Sequence, residues 1–191
     1  MRILIARHAE DIGPPNDNKT RGLTVIGKKQ AKKLSMVVKS FNPTHIICST
    51  LKRSIETANI VSQFCDINII ENELLDEQFS GNINNNITFM NSKGYINSNE
   101  SYNGGETYQD LTNRVEKLVI WLKSEFTPLN GEKRPVLITH GRLMTFLITE
   151  ILGLPQKGFF LAIENTAYVI IIVSKKWRPM LVLPIPGNQY L

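Results

Sequence analysis

Two histidines stand directly after short apolar segments and are the residues best suited to do chemistry. His8 follows residues 3–6 and Arg7, and His140 follows residues 135–139. An arginine side chain holds phosphoryl oxygens in a fixed fork, and a neutral imidazole can attack phosphorus. These residues therefore indicate an enzyme that forms a phosphohistidine.

Short β-strands are expected to position both histidines. Residues 3–5 and 136–138 are continuous apolar runs, which are typical of strands buried on both faces of a parallel sheet. Open α/β sheets bind their ligands at the carboxyl ends of the strands. Two strands that each end in a histidine at one sheet edge would place both imidazoles around a single phosphate.

Three segments of the chain resemble one known family. Residues 7–10, Arg-His-Ala-Glu, resemble the Arg-His-Gly-Glu opening of the histidine phosphatase superfamily, the phosphoglycerate mutase-like proteins. Residues 49–58 resemble its Ser-Pro-Leu-x-Arg-Ala-x-x-Thr-Ala signature, and the strand that runs into His140 and Gly141 resembles its second catalytic motif. The resemblance follows essentially the whole chain in order. It implies an α/β fold, a three-layer α/β/α sandwich with a mostly parallel central sheet.

The same resemblance implies a role for each residue of the site. His8 is the nucleophile, and Arg7, Arg53 and His140 bind the oxygens of the phosphate, with His140 also taking part in catalysis. Glu77 lies in a Leu-x-Glu segment and is the acid that protonates the leaving oxygen, then the base that activates water. The implied reaction is phosphoryl transfer in two steps.

Other residues are candidates for supporting or alternative roles. Asp76 is adjacent to the proposed acid and Glu73 is nearby, so the identity of the proton donor stays open. Glu106 could support the site or act as an alternative acid, or its charge could simply complement the dipole of the following helix. Gly141 and Thr24 are also expected to support the phosphate-binding residues, and Thr24 is expected to be the N-cap of the first helix.

Packing and protonation lead to three further expectations. Gly27 is unfavourable inside a helix, so close packing near the phosphate end is expected there. His8 must be neutral at its attacking nitrogen, so a carbonyl or carboxylate is expected to hold the N–H on the other ring nitrogen. His45, the third histidine, is expected to be structural.

The chain departs from the family pattern at a few positions. Ala9 replaces glycine, which is tolerable if the backbone there does not need a positive φ. Thr50 replaces proline, which removes no essential group. The nearest counterparts of an asparagine that follows the first motif in many members are Asn16 and Asn18, which are displaced into a different loop.

Length and composition predict one ordinary globular domain. The chain has 191 residues, of which 42% are hydrophobic and 20% are charged, which is enough for one full core. The prediction is a single histidine phosphatase-like domain over residues 1–191, with a short cap-like insertion at about residues 82–105. That insertion is rich in asparagine and poor in apolar residues, so it cannot form a core alone.

The composition also bounds the location and the partners. Cys48 and Cys65 show no metal-binding spacing and are expected to be reduced thiols of an intracellular protein, neither of them a nucleophile. No stretch is long enough to span a membrane, and no signal peptide is visible, so a cytoplasmic location is expected. The net charge of +5 suits an anionic substrate. A small phosphorylated substrate is expected, with no nucleic acid, membrane, metal or cofactor, and the oligomeric state is undetermined.

Three functions remain open at this point. A metal-independent phosphomonoester hydrolase is the first choice, because a short polar insertion is a poor barrier to water and the phosphohistidine would be hydrolysed. The alternatives are phosphoryl transfer of the phosphoglycerate mutase type and a module that binds phosphorylated ligands without turning them over. The substrate itself has no readable code in the sequence.

Overall fold

The structure, a computed structural model, describes residues 1–13, 19–79, 104–126, 132–155, 161–174 and 176–182. Its strands are β1 (Arg2–Arg7), β2 (Asp11–Ile12), β3 (Gly22–Leu23), β4 (His45–Cys48), β5 (Ile69–Glu71), β6 (Pro135–Thr139), β7 (Tyr168–Val173) and β8 (Pro179–Val182). Its helices are α1 (Val25–Phe41), α2 (Lys52–Cys65), α3 (Tyr108–Phe126) and α4 (Gly141–Leu152), and a short 3₁₀ turn covers Glu73–Leu75. No helix among these described residues is both long and apolar enough to cross a membrane.

Six of the strands form one central sheet in the order β5-β4-β6-β1-β7-β8. The pairs β5–β4, β4–β6 and β6–β1 are parallel, whereas β7 pairs antiparallel with β1 and with β8. The antiparallel strands lie at one end of the sheet, next to β1. The prediction of a mostly parallel central sheet is confirmed.

Helices cover both faces of the sheet because alternate strand residues point to opposite sides. On β1, Leu4 and Ala6 pack with α1 and α2, whereas Ile3 and Ile5 pack with α3 and α4. The inward stripe of α3 has the spacing that an amphipathic helix requires, and it consists of Leu111, Val115, Leu118, Leu122 and Phe126. The molecule is therefore the three-layer α/β/α sandwich that the resemblance implies.

The pairing of β1 with β6 brings the two motifs that contain His8 and His140 to one sheet edge. Arg7 lies opposite Thr139 in the register of the two strands. The backbone N–H of His8 then donates to the carbonyl of Thr139 at 2.8 Å, one residue before His140. The two histidines consequently leave adjacent strands at the same height.

The first helix begins where the sequence predicts. Thr24 is its N-cap, and the Thr24 hydroxyl accepts from the backbone N–H of Gly27 at 2.8 Å. A Cβ atom on Gly27 would lie 2.0 Å from the carbonyl oxygen of Glu10. The expectation of close packing at Gly27 is confirmed, and the contact is to the backbone two residues after His8.

The last helix begins directly after His140, and part of the predicted insertion cannot be compared. α4 starts at Gly141, because His140 itself takes the extended N-cap conformation. Residues 82–103 of the predicted insertion, and Asn16 and Asn18, lie outside the described residues.

Replacing Gly27 with alanine is expected to destabilise the protein. The added methyl group would meet the backbone of Glu10, so the first helix or the loop after His8 must shift. Overpacking of this kind costs about 1–3 kcal/mol or more of the free energy of unfolding, which urea denaturation measures. Lys29→Ala on the exposed side of the same helix is the control and should change stability by less than about 0.5 kcal/mol. Equal effects of the two substitutions would contradict the contact.

Candidate active site

His8 and His140 form the centre of the site. Their ring centroids are 4.9 Å apart and the ring planes are inclined by 53°. His8 is 3% exposed and His140 is fully buried. Two imidazoles from distant parts of the chain thus meet at the carboxyl edge of the sheet, as the sequence predicts.

The hydrogen bonds of His8 define its tautomer. Nδ1 lies 2.7 Å from the carbonyl oxygen of Ala9, which can only accept, so Nδ1 carries the proton. Nε2 is then the nitrogen with a free electron pair, and it accepts from Nε of Arg53 at 3.3 Å. The expectation that a carbonyl or carboxylate holds the second ring nitrogen is confirmed.

Burial keeps the His8 imidazole neutral. Loss of hydration is the largest cause that lowers the pKa of His8, to about 3, and the neighbouring Arg53 and Arg7 lower it further. The hydrogen bond to Ala9 and the carboxylate of Asp11 oppose this shift. At neutral pH the side chain is therefore an uncharged base with its electron pair on Nε2.

Arg53 and Arg7 approach the histidines from opposite faces of the sheet. Arg53 is the second residue of α2 and is 3% exposed, and burial lowers the pKa of its guanidinium. Arg7 donates to the carbonyl of Ile163, and a Cβ atom on Gly141 would lie 3.8 Å from the Arg7 guanidinium. Nε of Arg7 is buried without a hydrogen-bond partner among the described residues.

Asp11 is a member of the site that the sequence analysis missed. One of its carboxylate oxygens lies 4.0 Å from Nδ1 of His8, and the other lies 3.8 Å from Nε of Arg53. Nε of Arg21 donates to the same carboxylate at 2.6 Å across the β2–β3 hairpin. Its position three residues after His8 was a signal, but only the hairpin turns the side chain back toward the imidazole.

His140 contacts Ser49, the first residue of the segment 49–58. Nε2 of His140 lies 2.7 Å from the hydroxyl of Ser49. Nδ1 is buried and has no hydrogen-bond partner in the described part of the chain. Burial lowers the pKa of His140 well below its usual value. Charge repulsion from His8, Arg53 and Arg7 lowers this pKa further.

Glu77 lies at the start of α4, the helix that follows His140. Its carboxylate accepts from the backbone N–H groups of Leu143 at 3.1 Å, Arg142 at 3.3 Å and Gln78 at 3.0 Å. The structure thereby places the predicted acid at the same helix terminus that follows His140. Backbone N–H groups at a helix N-terminus also favour negatively charged groups.

Two cavities meet at Glu77. One, of about 720 Å³, has Arg7, Glu77, Gly141, Arg142 and Glu164 in its lining. The other, of about 820 Å³, is also lined by Glu77, together with Lys19, Asp76, Glu106 and Arg114. A bound molecule in either cavity would therefore lie beside Glu77.

Glu106 and Thr24 support the site without touching the imidazoles directly. Glu106 pairs with Arg114 at 2.7 Å, and Arg114 also donates to the carbonyls of Leu74 and Asp76, so the pair braces the segment before Glu77. Thr24 donates to the carboxylate of Glu10 at 2.7 Å and caps α1. Arg114 is the residue in this brace whose role sequence reasoning did not identify.

The remaining candidates fall outside the centre of the site. His45 contacts the hydroxyl of Thr44 and the edge of Phe126, which agrees with a structural role. Cys48 is buried in β4, and burial raises the pKa of its thiol to about 12, whereas Cys65 at the end of α2 is only half-buried. Within the described ranges, no three histidine, cysteine or acidic side chains are grouped so that they could hold a metal ion.

The departures from the family pattern have simple explanations. Ala9 is fully buried and has no positive φ, so the methyl group is accommodated. Its backbone N–H donates to the hydroxyl of Thr57 at 3.1 Å. Thr50 donates from its hydroxyl and its backbone N–H to Asp76, and the second of these bonds is impossible for proline.

Solved structures share this fold. The α-ribazole phosphatase from Shigella flexneri aligns with a TM-score of 0.79 at 20% identity, over 96% of this chain and 95% of that one. A mycobacterial glucosyl-3-phosphoglycerate phosphatase in complex with VO3 aligns with a TM-score of 0.76 at 20% identity, over 94% of this chain and 96% of that one.

Sequence comparison identifies relatives and the family. The probable phosphoglycerate mutase GpmB of Proteus mirabilis (strain HI4320) is 30% identical over 142 residues, and that of Escherichia coli O1:K1 / APEC is 32% identical over 142 residues. These alignments cover 70% of this chain, and the chain spans 64% of the length of these relatives. The family model of the histidine phosphatase superfamily (branch 1) matches residues 3–183. With both histidines and both arginines gathered at the carboxyl edge of a sheet of this type, the chain belongs to the histidine phosphatase superfamily.

Proposed function

We propose that this protein is a phosphatase that hydrolyses small phosphomonoesters through a phosphohistidine on Nε2 of His8. The observation that carries the proposal is the state of His8, a buried neutral imidazole whose proton is held on Nδ1 by Ala9. Its free nitrogen faces Arg53 at 3.3 Å, so the nucleophile and a cation lie on the same side of the ring.

In the first step, Nε2 of His8 attacks phosphorus and the bond from phosphorus to the leaving oxygen breaks. Arg7 and Arg53 stabilise the charge on the phosphoryl oxygens, and no metal is needed for that purpose. Glu77 gives a proton to the leaving oxygen. Its place between the two cavities supports this role, because a leaving group in either one would lie beside its carboxylate.

In the second step, water attacks the phosphohistidine. Glu77, now ionised, accepts a proton from the water, the phosphorus–nitrogen bond breaks and inorganic phosphate is released. The electron pair returns to Nε2, so the imidazole regains its original tautomer. Splitting the reaction in two replaces one difficult displacement with two easier ones.

Phosphoryl transfer of the phosphoglycerate mutase type is the second candidate, and the names of the curated relatives favour it. The hydrolase is preferred because residues 82–103 are a short polar segment, which is a poor barrier to water. The names of the two solved structures with the same fold also agree with a hydrolase. Comparing phosphate release from 3-phosphoglycerate with its isomerisation to 2-phosphoglycerate separates the two activities.

His8→Ala is expected to lower turnover of p-nitrophenyl phosphate by at least about a thousandfold, because the variant lacks the nitrogen that forms the covalent intermediate. The unmodified protein should also acquire an acid-labile phosphoryl label that the variant does not. His45→Gln is the matched control and should keep both activities, since His45 lies outside the site. Turnover that survives in His8→Ala would rule out the mechanism, whereas tight phosphate binding without turnover in the unmodified protein would indicate a binding module.

Glu77→Gln is expected to slow hydrolysis of alkyl phosphates by about 10²–10⁴-fold, since the amide cannot give a proton to the leaving oxygen. The loss in the single-turnover rate of phosphohistidine formation should be smaller for p-nitrophenyl phosphate, whose leaving group departs without protonation. Glu116→Gln, at an exposed position on α3, is the control and should change neither rate. An equal loss in the rate of phosphohistidine formation with both substrates in Glu77→Gln would assign the proton donor elsewhere.

The buried state of His8 also predicts how stability depends on pH. Its pKa is about 3 in the folded protein, compared with the ordinary value of 6.5 in the unfolded chain. Between these values the unfolded chain binds more protons, so the free energy of unfolding rises with pH and is lost as the pH falls through this window. In urea titrations His8→Gln should show a shallower slope there than the unmodified protein, and His45→Gln should change the slope less. If the free energy of unfolding had the same slope against pH in His8→Gln and in the unmodified protein, the lowered pKa of His8 would be contradicted.

A further inference from the structure

The carboxylate of Asp76 accepts three hydrogen bonds from Ser49 and Thr50, the first two residues of the segment 49–58. Oδ1 accepts from the hydroxyl of Ser49 at 2.7 Å and from the backbone N–H of Thr50 at 2.8 Å. Oδ2 accepts from the hydroxyl of Thr50 at 2.7 Å. A carboxylate in this position can only accept, so the hydroxyl proton of Ser49 is committed to Asp76.

This arrangement determines the tautomer of His140. With its own proton on Asp76, the oxygen of Ser49 can only accept from its other neighbours. It accepts from the backbone N–H of Leu51 at 3.1 Å, and Nε2 of His140 lies 2.7 Å away. Nε2 of His140 must therefore carry the proton, which leaves Nδ1 bare in the neutral ring.

The two histidines consequently have opposite tautomers. His8 carries its proton on Nδ1, and His140 carries its proton on Nε2. Nδ1 of His140 is fully buried, and within the described residues it has no partner. An electron pair at that position repels a phosphoryl oxygen, whereas an N–H group would bind it.

We propose that the site binds a phosphoryl group together with one proton on Nδ1 of His140, and that Asp76 and Ser49 are the positioning residues that impose this coupling. The inference rests on the proposed function, since it concerns the same phosphate site. The proton balance has two equivalent routes. A phosphate monoanion gives its acidic hydrogen to Nδ1, or a dianion binds and water or buffer supplies the proton.

Several charged groups surround His140 and act on its protonation. Arg7 and Arg53 face it from β1 and α2, Arg114 acts from α3, and Asp76 acts through Ser49. Glu77 lies against the two residues that follow Gly141. His8 is the nearest titratable neighbour, at a centroid distance of 4.9 Å.

The charge of His140 therefore differs between the free protein and the phosphate complex. In the free protein, burial lowers the pKa of His140 well below its usual value, and charge repulsion from His8, Arg53 and Arg7 adds to this effect. The ring is therefore neutral. A phosphate dianion between the arginines reverses the local charge and favours the imidazolium. The proton is thus taken up only with the ligand.

Thr50 contributes to this arrangement through a departure from the family pattern. The signature that residues 49–58 resemble has proline at this position, and proline has no backbone N–H to donate to a carboxylate. Both donors of Thr50 bind Asp76 at 2.7–2.8 Å and hold its carboxylate against Ser49. The departure therefore has a structural consequence behind His140.

The first experiment measures the tautomers by ¹⁵N nuclear magnetic resonance of the imidazole rings. The chain has 3 histidines, so His8→Gln and His45→Gln suffice to assign the signals. Without phosphate, His140 should be neutral with its proton on Nε2. With saturating inorganic phosphate, both of its nitrogens should be protonated. A proton on Nδ1 in the free protein, or a ring that stays neutral with phosphate bound, would overturn the inference.

The second experiment measures proton uptake by titration calorimetry of inorganic phosphate in buffers with different ionisation enthalpies. At about pH 8.5, where phosphate is a dianion, binding should take up one proton, and at about pH 5, where it is a monoanion, none. In the alkaline range the affinity should fall about tenfold for each pH unit. Binding without uptake at the higher pH would contradict the inference, whereas the absence of any phosphate binding would contradict the proposed function, leaving the tautomers to decide the inference.

Asp76→Ala tests the positioning role directly. Without an acceptor at this position, the Ser49 hydroxyl is free to donate to Nε2 of His140, which moves the ring proton to Nδ1. The variant should still bind phosphate, but its uptake at the higher pH should fall from one proton to near zero. Thr50→Val keeps the Ser49–Asp76 hydrogen bond and is the control, with uptake unchanged. Full uptake in a folded Asp76→Ala protein would remove Asp76 from the coupling, and if the variant does not fold, the tautomers of the unmodified protein decide.

Discussion

The parallel pairing of β1 with β6 is the constraint on which the site depends. It places Arg7 opposite Thr139 and lets His8 continue the pairing by one hydrogen bond beyond the strand. Because both strands run in the same direction, both end at one edge, and each delivers a histidine there. The buried apolar residues of these strands fix the register, since a shift by one residue would exchange the two faces of the sheet.

Burial converts this placement into chemical reactivity. Removing two imidazoles from water favours their neutral forms, and the nearby arginines add to that effect. Each ring is then defined by the group that holds one of its nitrogens, the carbonyl of Ala9 for His8 and the hydroxyl of Ser49 for His140. The result is a free electron pair on each ring, close to the guanidinium groups of Arg7 and Arg53.

The segments around the histidines are braced by polar contacts rather than by apolar packing alone. Asp76 joins the 3₁₀ turn to the start of α2. Arg114, on α3, donates to the carbonyl of Asp76 and pairs with Glu106, so it joins α3 to the same turn. Asp11 and Arg21 join the β2–β3 hairpin to His8. These contacts hold buried groups in fixed positions, which a site that stabilises developing charge requires.

The sequence by itself determined the two strands that end in His8 and His140, because an apolar run is a local signal that predicts a strand. Its resemblance to a known family also indicated the sheet class, the three layers, and Arg53 and Glu77 as members of the same site. Only the tertiary structure decided that Asp11 turns back toward His8 and that Asp76 reaches Ser49 across 27 residues of chain. Such contacts between loops depend on how separate elements pack, and no periodicity of the chain encodes which acidic side chain meets which partner.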